Sequence, residues 1–308
     1  MCRLSEEKRN SVSTENVKNT VKSCKIIAIS NQKGGVGKTT TCVNLGIGLV
    51  RAGKKVLLVE ADAQGSLAVS LGIPEPDKLD VTLVNILEKA INDEEIEPGE
   101  GIIRHEEGID FIPANIELAG LETALVNIMS RETVMRQFLQ GMRQHYDYIL
   151  IDCMPSLGMI TINALVAADY VLVPVEAAYL PVKGLQQLIK TIGNIHRKLN
   201  SSLEILGILL TKVDRRTNFA KDTSVKIREV YGERVHIFEN CIPLSVRAAE
   251  TAAEGKSIYL HDPKGIVAEG YLSLTEEVLA LTGSVDKPAR GSETGEAEIS
   301  VRQEGGGR

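Results

Sequence analysis

The stretch Asn31-Gln32-Lys33-Gly34-Gly35-Val36-Gly37-Lys38-Thr39-Thr40 constrains this chain more than any other. It follows an apolar run, Lys25-Ile26-Ile27-Ala28-Ile29, that reads as a buried parallel strand, and it precedes a helix-like run over residues 41–52. A strand, a glycine-rich turn and Gly-Lys-Thr at a helix start make the arrangement of a phosphate-binding loop. Glycines let successive backbone N–H groups converge on phosphate oxygens. The helix N-terminus adds positive potential at the same point. In such a loop Lys38 reaches the β- and γ-phosphates and the Thr39 hydroxyl ligates Mg²⁺. The strict pattern, Gly-x-x-x-x-Gly-Lys, puts its first glycine at position 32. Gln32 stands there, and a second lysine, Lys33, opens the loop.

Two acids follow at strand ends. Residues 54–60 read as a second strand, entered through Gly53 at the helix C-terminus and leading into Ala61-Asp62-Ala63-Gln64-Gly65-Ser66. Ligands of open α/β sheets lie beyond the carboxyl ends of the strands, so Asp62 is placed to face the phosphates and a water. Residues 146–152 form an apolar strand that ends in Asp152 and delivers its carboxylate to the Mg²⁺ site.

The rest of the chain alternates. Residues 81–91 read as a helix and 108–113 as a short strand. Residues 115–145 read as a long helical stretch broken near Ser130-Arg131-Glu132. Strands at 171–175 and 205–213, helices at 182–199, 219–231 and 266–281, and a last edge strand within 235–242 complete it. Strands alternating with helices predict an α/β fold: one doubly wound, mainly parallel sheet with helices on both faces. Residues 25–281 read as one domain. Residues 1–24 are a polar N-terminal extension, read as a mobile tail, with a short helix over 13–21 as the alternative. Residues 282–308, rich in Gly, Ser and Glu, read as a disordered tail with no amphipathic face for a membrane.

Composition agrees. Aromatic residues are 4% and Trp is absent, so Val, Ile, Leu and Ala must fill the core, as suits a sheet buried on both faces. A net charge of −6 does not advertise nucleic-acid binding in bulk. Cys2, Cys24, Cys42, Cys153 and Cys241 form no Cys-x-x-Cys pair, which indicates neither zinc nor a thioredoxin-like site and fits a reducing cytosol. No apolar run approaches the about 18 residues of a membrane span.

Lys33-Gly-Gly-Val-Gly-Lys38-Thr-Thr resembles the deviant Walker A motif of the ParA/MinD family of partition and positioning ATPases. Three further stretches resemble the same family. Val59-Glu60-Ala61-Asp62-Ala63-Gln64-Gly65-Ser66 is similar to its V-D-x-D-P-Q-G-N switch. Asp152-Cys153-Met154-Pro155-Ser156-Leu157-Gly158 is similar to D-T-P-P-S-L-G. Residues 242–250, with Gly255-Lys256-Ser257-Ile258 and Asp262-Pro263, are similar to I-P-R-N-x-R-x-x-E-A…G-K-P-I…D-P. The departures are Glu60 for Asp, Ala63 for Pro, Cys153 and Met154 for Thr-Pro, and Leu244-Ser245 for Arg-Asn.

The resemblance implies roles position by position. Gly34, Gly35, Val36 and Gly37 cradle the nucleotide, Lys38 holds its phosphates and Thr40 contacts the α-phosphate. Lys33 crosses a dimer interface to the partner's nucleotide. Asp62 positions the attacking water, and Thr39, Asp62 and Asp152 surround Mg²⁺. Lys212, Asp214 and Pro243 lie near the base. Thr211-Lys212-Val213-Asp214 also matches the [NT]-K-x-D guanine-reading motif of GTPases, so GTP stands as the alternative to ATP. The implied function is slow, partner-stimulated ATP hydrolysis in plasmid or chromosome partitioning. It would be carried by a homodimer formed on ATP, bound non-specifically to double-stranded DNA through Arg215, Arg216, Arg247 and Lys256, and released by a ParB-like centromere-binding protein. The place is the cytoplasm, on the nucleoid, with no membrane partner. The alternative is a MinD-like or cargo-positioning switch acting on a membrane or protein without DNA.

Overall fold

The computed structural model describes residues 24–177, 182–214 and 216–283. The extension with its 13–21 segment, Arg215 and the chain from residue 284 onward lie outside the described residues. The chain runs β1 (Lys25–Ile29), α1 (Lys38–Arg51), β2 (Val56–Ala61), α2 (Ser66–Ser70), α3 (Leu83–Ile91), β3 (Ile103–Arg104), β4 (Asp110–Ile112), α4 (Glu117–Leu125) and α5 (Val134–Met142). It continues through β5 (Tyr148–Cys153), α6 (Met159–Ala167), β6 (Tyr170–Glu176), α7 (Val182–Lys198), β7 (Glu204–Thr211), α8 (Asn218–Tyr231), α9 (Arg247–Glu254), α10 (Ile258–His261) and α11 (Ile266–Gly283).

The strands form one sheet in the order β3-β4-β2-β5-β1-β6-β7. β3 is antiparallel to β4, and the other pairings are parallel. Every residue of β2 and β5 is buried, the burial expected of strands covered on both faces. Successive side chains go to opposite layers. Ile26 and Ala28 join Leu57, Ile149 and Val173 in the core beneath α3–α7. Ile27 and Ile29 join Leu58 and Leu150 beneath α1, α10 and α11. The doubly wound sheet is therefore as the sequence reading has it.

β5 lies between β1 and β2, and its register sets the site. Asp152 pairs with Ile29 on one side and Glu60 on the other. The ends of three strands thus stand at one level, beneath the loop that leaves β1.

Two boundaries differ from the sequence reading. Residues 235–242 make no strand among the described elements, only isolated bridges Ile208–Ile237 and Val213–Pro243. Arg228 Nη2 takes the Phe238 and Glu239 carbonyls, at 3.1 and 3.3 Å, and Pro243 has no N–H to continue a ladder. At the other end, α11 does not stop at residue 281. Thr282 is buried and shares a 2.6 Å hydrogen bond with the Tyr148 hydroxyl, so it belongs to the domain rather than to the tail. The break in the 115–145 stretch is where the sequence puts it, with Ser130 in the left-handed region at φ 55°.

Candidate functional site

The loop between β1 and α1 is held from both flanks. Asn31 is buried, and its Nδ2 donates to the Pro174 carbonyl at 2.6 Å while its Oδ1 accepts from the Lys33 N–H at 3.0 Å. The Thr211 hydroxyl donates to the Val36 carbonyl at 2.8 Å. Val36 itself is buried and braces the loop from beneath. Gly35 and Gly37 adopt φ 72° and 85°, and a Cβ on either would meet nothing within 4 Å. The requirement for glycine there is the left-handed backbone itself, which turns consecutive N–H groups toward the cleft ahead of α1.

Lys38 is only 7% exposed, and its Nζ donates to the Lys33 carbonyl at 3.4 Å. Burial lowers its pKa, while Asp152 and Asp62 act in the opposite direction. Asp152 is 1% exposed, and neither of its oxygens has a hydrogen-bond partner among the described residues. Burial pushes its carboxyl up to about 7 against the pull of the Thr39 hydroxyl and the Lys38 ammonium, with Asp62 adding to the rise. A buried carboxylate with idle oxygens beside a threonine hydroxyl is an all-oxygen donor set of the kind that suits a small hard cation. The donor set therefore fits Mg²⁺ through Thr39 and Asp152.

Asp62 is half-exposed and lines the cleft above this pair. Its Oδ1 accepts from the Gln64 N–H at 3.1 Å, which fixes the turn that Gly65 completes at φ 63°. Beneath that turn lies Glu60, fully buried. Its carboxylate accepts from the N–H groups of Leu67 at 2.6 Å, Ala68 at 3.4 Å and Ala114 at 3.0 Å, and burial pushes its pKa up to about 8. Glu60 thus ties β2 to α2 and to the turn after β4, and so shapes the segment that carries Asp62.

The cleft has a volume of about 420 Å³. One end is lined by Gly34, Gly35, Gly37, Lys38, Thr39, Thr40 and Asp62, the other by Lys212, Ile242, Pro243, Leu244 and Ser245. Lys212 is in the left-handed region at φ 52°. Asp214 does not line the cleft. Arg216 holds it by two contacts of 2.9 Å and depresses its pKa.

Lys33 also departs from the cleft wall. Its Nζ meets Glu176 Oε2 at 2.6 Å. The cations expected to meet DNA are each engaged by an acid where the structure describes them. Arg216 is on Asp214, Arg247 is 3.7 Å from Asp262, and Lys256 is 3.8 Å from Glu254. Arg215 lies outside the described residues. Such exposed pairs are weak and leave these side chains able to exchange partners. The histidines gather no metal cluster among the described residues.

The sequence reading missed Asn31, Glu176 and Tyr271, and treated Glu60 as a mere substitute for Asp. Tyr271 lines the cleft from α11, and its hydroxyl lies 3.3 Å from the Thr41 hydroxyl. For Glu60 a signal existed: an acid inside an otherwise apolar strand must find donors.

A protein-family model described as "AAA domain" matches residues 24–205. The chain is 45% identical over 258 residues to the sporulation initiation inhibitor protein Soj of Bacillus subtilis, covering 83% of this chain and 98% of Soj. It is 42% identical over 259 residues to the chromosome partitioning protein ParA of Myxococcus xanthus, covering 83% and 88%. Among solved structures, the cobyrinic acid a,c-diamide synthase of Mycobacterium smegmatis with bound ADP and magnesium superposes with a TM-score of 0.74 at 33% identity, over 85% of this chain and 96% of that one. The septum site-determining protein MinD of Pyrococcus horikoshii, complexed with Mg-ADP, superposes with a TM-score of 0.66 at 25% identity, over 84% and 98%. With the glycine loop, the strand-end acids and this extent of similarity together, the chain belongs to the ParA/MinD family of P-loop ATPases.

Proposed function

We propose that this chain is a partition ATPase that binds ATP with Mg²⁺ and hydrolyses it slowly. One observation carries the reading: Lys38, Thr39, Asp62 and the buried Asp152 converge where a glycine loop meets the ends of β2 and β5. Phosphoanhydride hydrolysis needs charge neutralisation and a placed water more than covalent chemistry. Lys38 neutralises charge on the β- and γ-phosphates. Thr39 and Asp152 would hold Mg²⁺, which would supply neutralisation of phosphate charge. Asp62 orients the water. At the base end, the solved neighbours that carry ADP or an ATP analogue with magnesium support ATP over GTP.

The homodimer formed on ATP has Lys33 reaching the partner chain's nucleotide. That dimer binds duplex DNA non-specifically through Arg215, Arg216, Arg247 and Lys256, resides on the nucleoid in the cytoplasm, and is released when a ParB-like centromere-binding protein accelerates hydrolysis. The name of the ParA relative, a chromosome partitioning protein, supports a role in partitioning. A second reading has its own observation: Leu244 and Val246 beside the cleft are 54% and 75% exposed, a surface better suited to a protein partner than to phosphate. No described helix is long and apolar enough to cross a membrane.

The test is binding of a generic duplex by the wild type and Lys38→Ala with ATP, ADP or no nucleotide, across a salt series. Binding that needs ATP and Lys38 and falls steeply with salt supports partitioning. ATP-dependent dimerisation without DNA binding at any salt selects the protein-partner reading.

A further inference from the structure

Two lysines leave the phosphate loop in opposite directions. Lys38 turns into the cleft. Lys33 turns away, across β1, to the carboxyl end of β6, where its ammonium meets Glu176 at 2.6 Å over a sequence separation of 143 residues. The contact belongs to a larger seam. Asn31 bridges the same two strands through Pro174 and the Lys33 N–H. Gln32 reaches over the start of α7, where a Cβ on Gly184 would lie 4.0 Å from Gln32 Oε1. Residues 31–33 are therefore laid along the end of β6. The Lys33 side chain is 37% exposed and that of Glu176 24%, so the pair sits half-covered at the rim.

We infer that Glu176 is a positioning residue that holds Lys33 against its own chain, and that this ion pair must open before two chains close on ATP. The inference rests on the reading that Lys33 serves the partner's nucleotide. Glu176 opposes that service in two ways. It ties the lysine to an acid of its own chain, and its negative charge offsets the ammonium that would otherwise draw in a triphosphate. ATP-driven assembly is then a competition between a carboxylate in the same chain and a phosphate in the other, and the population with Lys33 released sets the apparent affinity. ADP binding to one chain leaves the pair closed, because Glu176 is not on the cleft wall.

A half-exposed ion pair changes an equilibrium by about two- to fivefold. Two pairs open per dimer, so the factor enters squared, about four- to twenty-five-fold. The experiment is sedimentation velocity of the full chain with ATP, a non-hydrolysed ATP analogue or ADP, for wild type, Glu176→Gln, Lys33→Ala and the double variant. Glu176→Gln is expected to tighten the ATP dimer by that factor, with the ADP affinity and melting temperature of the wild type. Its advantage is expected to shrink as salt screens the pair in the wild type. Lys33→Ala is expected to abolish the dimer with or without Glu176. A Glu176→Gln variant that folds and dimerises as the wild type does, or less well, while Lys33→Ala does not dimerise, overturns the role of Glu176 alone. Normal ATP dimerisation by Lys33→Ala, or none by the wild type, overturns the reading beneath it and this inference with it.

Discussion

Glu60→Gln isolates what holds the Asp62 segment in place. The Glu60 carboxylate accepts three backbone N–H groups, from Leu67, Ala68 and Ala114, in a site with no solvent access. A carboxyl accepts at both oxygens even when protonated, whereas an amide accepts at one. If the glutamine oxygen keeps the 2.6 Å bond to Leu67, its NH₂ faces the Ala114 N–H, donor against donor. Turning the amide over moves the conflict to Leu67. Either way at least one buried N–H loses its acceptor, at about 1–3 kcal/mol. Burial already pushes the carboxyl up to about 8, so replacing it with a neutral group returns part of that cost. At about pH 4, where the unfolded carboxyl is itself largely protonated and little of that cost remains, a net loss of about 1–2 kcal/mol lowers the melting temperature by about 2–8 °C for a domain of this size. Circular-dichroism melts of the nucleotide-free protein measure this. Hydrolysis is expected to fall more than ADP affinity, because α2 and the Asp62 turn shift while the phosphate loop stays. A variant that melts at or above the wild-type temperature at that pH would refute the reasoning, since the amide would then serve the three N–H groups as well as the carboxyl does.

Gly37→Ala has room for its methyl but forces an L-residue to φ 85°, a strain of about 1–2 kcal/mol; titration calorimetry is expected to show nucleotide affinity reduced about tenfold, with the fold retained. Asp152→Asn removes a buried carboxyl whose pKa burial pushes up to about 7 against the pull of Thr39 and Lys38; it is expected to stabilise the nucleotide-free chain at neutral pH, on the order of 1–3 kcal/mol, while abolishing Mg²⁺-dependent hydrolysis, so melting and activity assays move in opposite directions. Thr282→Ala leaves the buried Tyr148 hydroxyl without its 2.6 Å partner and is expected to cost about 1 kcal/mol, seen in urea unfolding; an unchanged midpoint would return residue 282 to the tail.

The sheet was legible because its strands are unbroken apolar runs, which have one stable solution, burial on both faces. The loop and its two acids were legible because their chemistry is local: glycines before a helix, and a carboxylate at the end of a strand. What escaped depends on neighbours that the sequence does not place side by side. Glu176 meets Lys33 only because β6 pairs with β1. Asp214 matches a base-reading motif by spacing, yet Arg216, two residues on, takes its carboxylate. The 235–242 segment has strand-like residues, but a helix arginine claims two of its carbonyls. Thr282 looks like the first residue of a polar tail until its hydroxyl is seen against Tyr148.

The place of β5 between β1 and β2 bears on how the protein is made. β1 pairs with β5 and β6, and β2 with β4 and β5. A nascent chain that stops before residue 148 therefore holds the whole phosphate loop yet gives β1 no strand to lie against. β1 and β2 stay open at the edges where β5 will later insert, the kind of exposure that chaperones shield during synthesis. Nucleotide affinity then waits until about the middle of this sequence has been made. It arrives with residues 148–153, which close the gap between the strands and bring Asp152 beneath the loop in the same step.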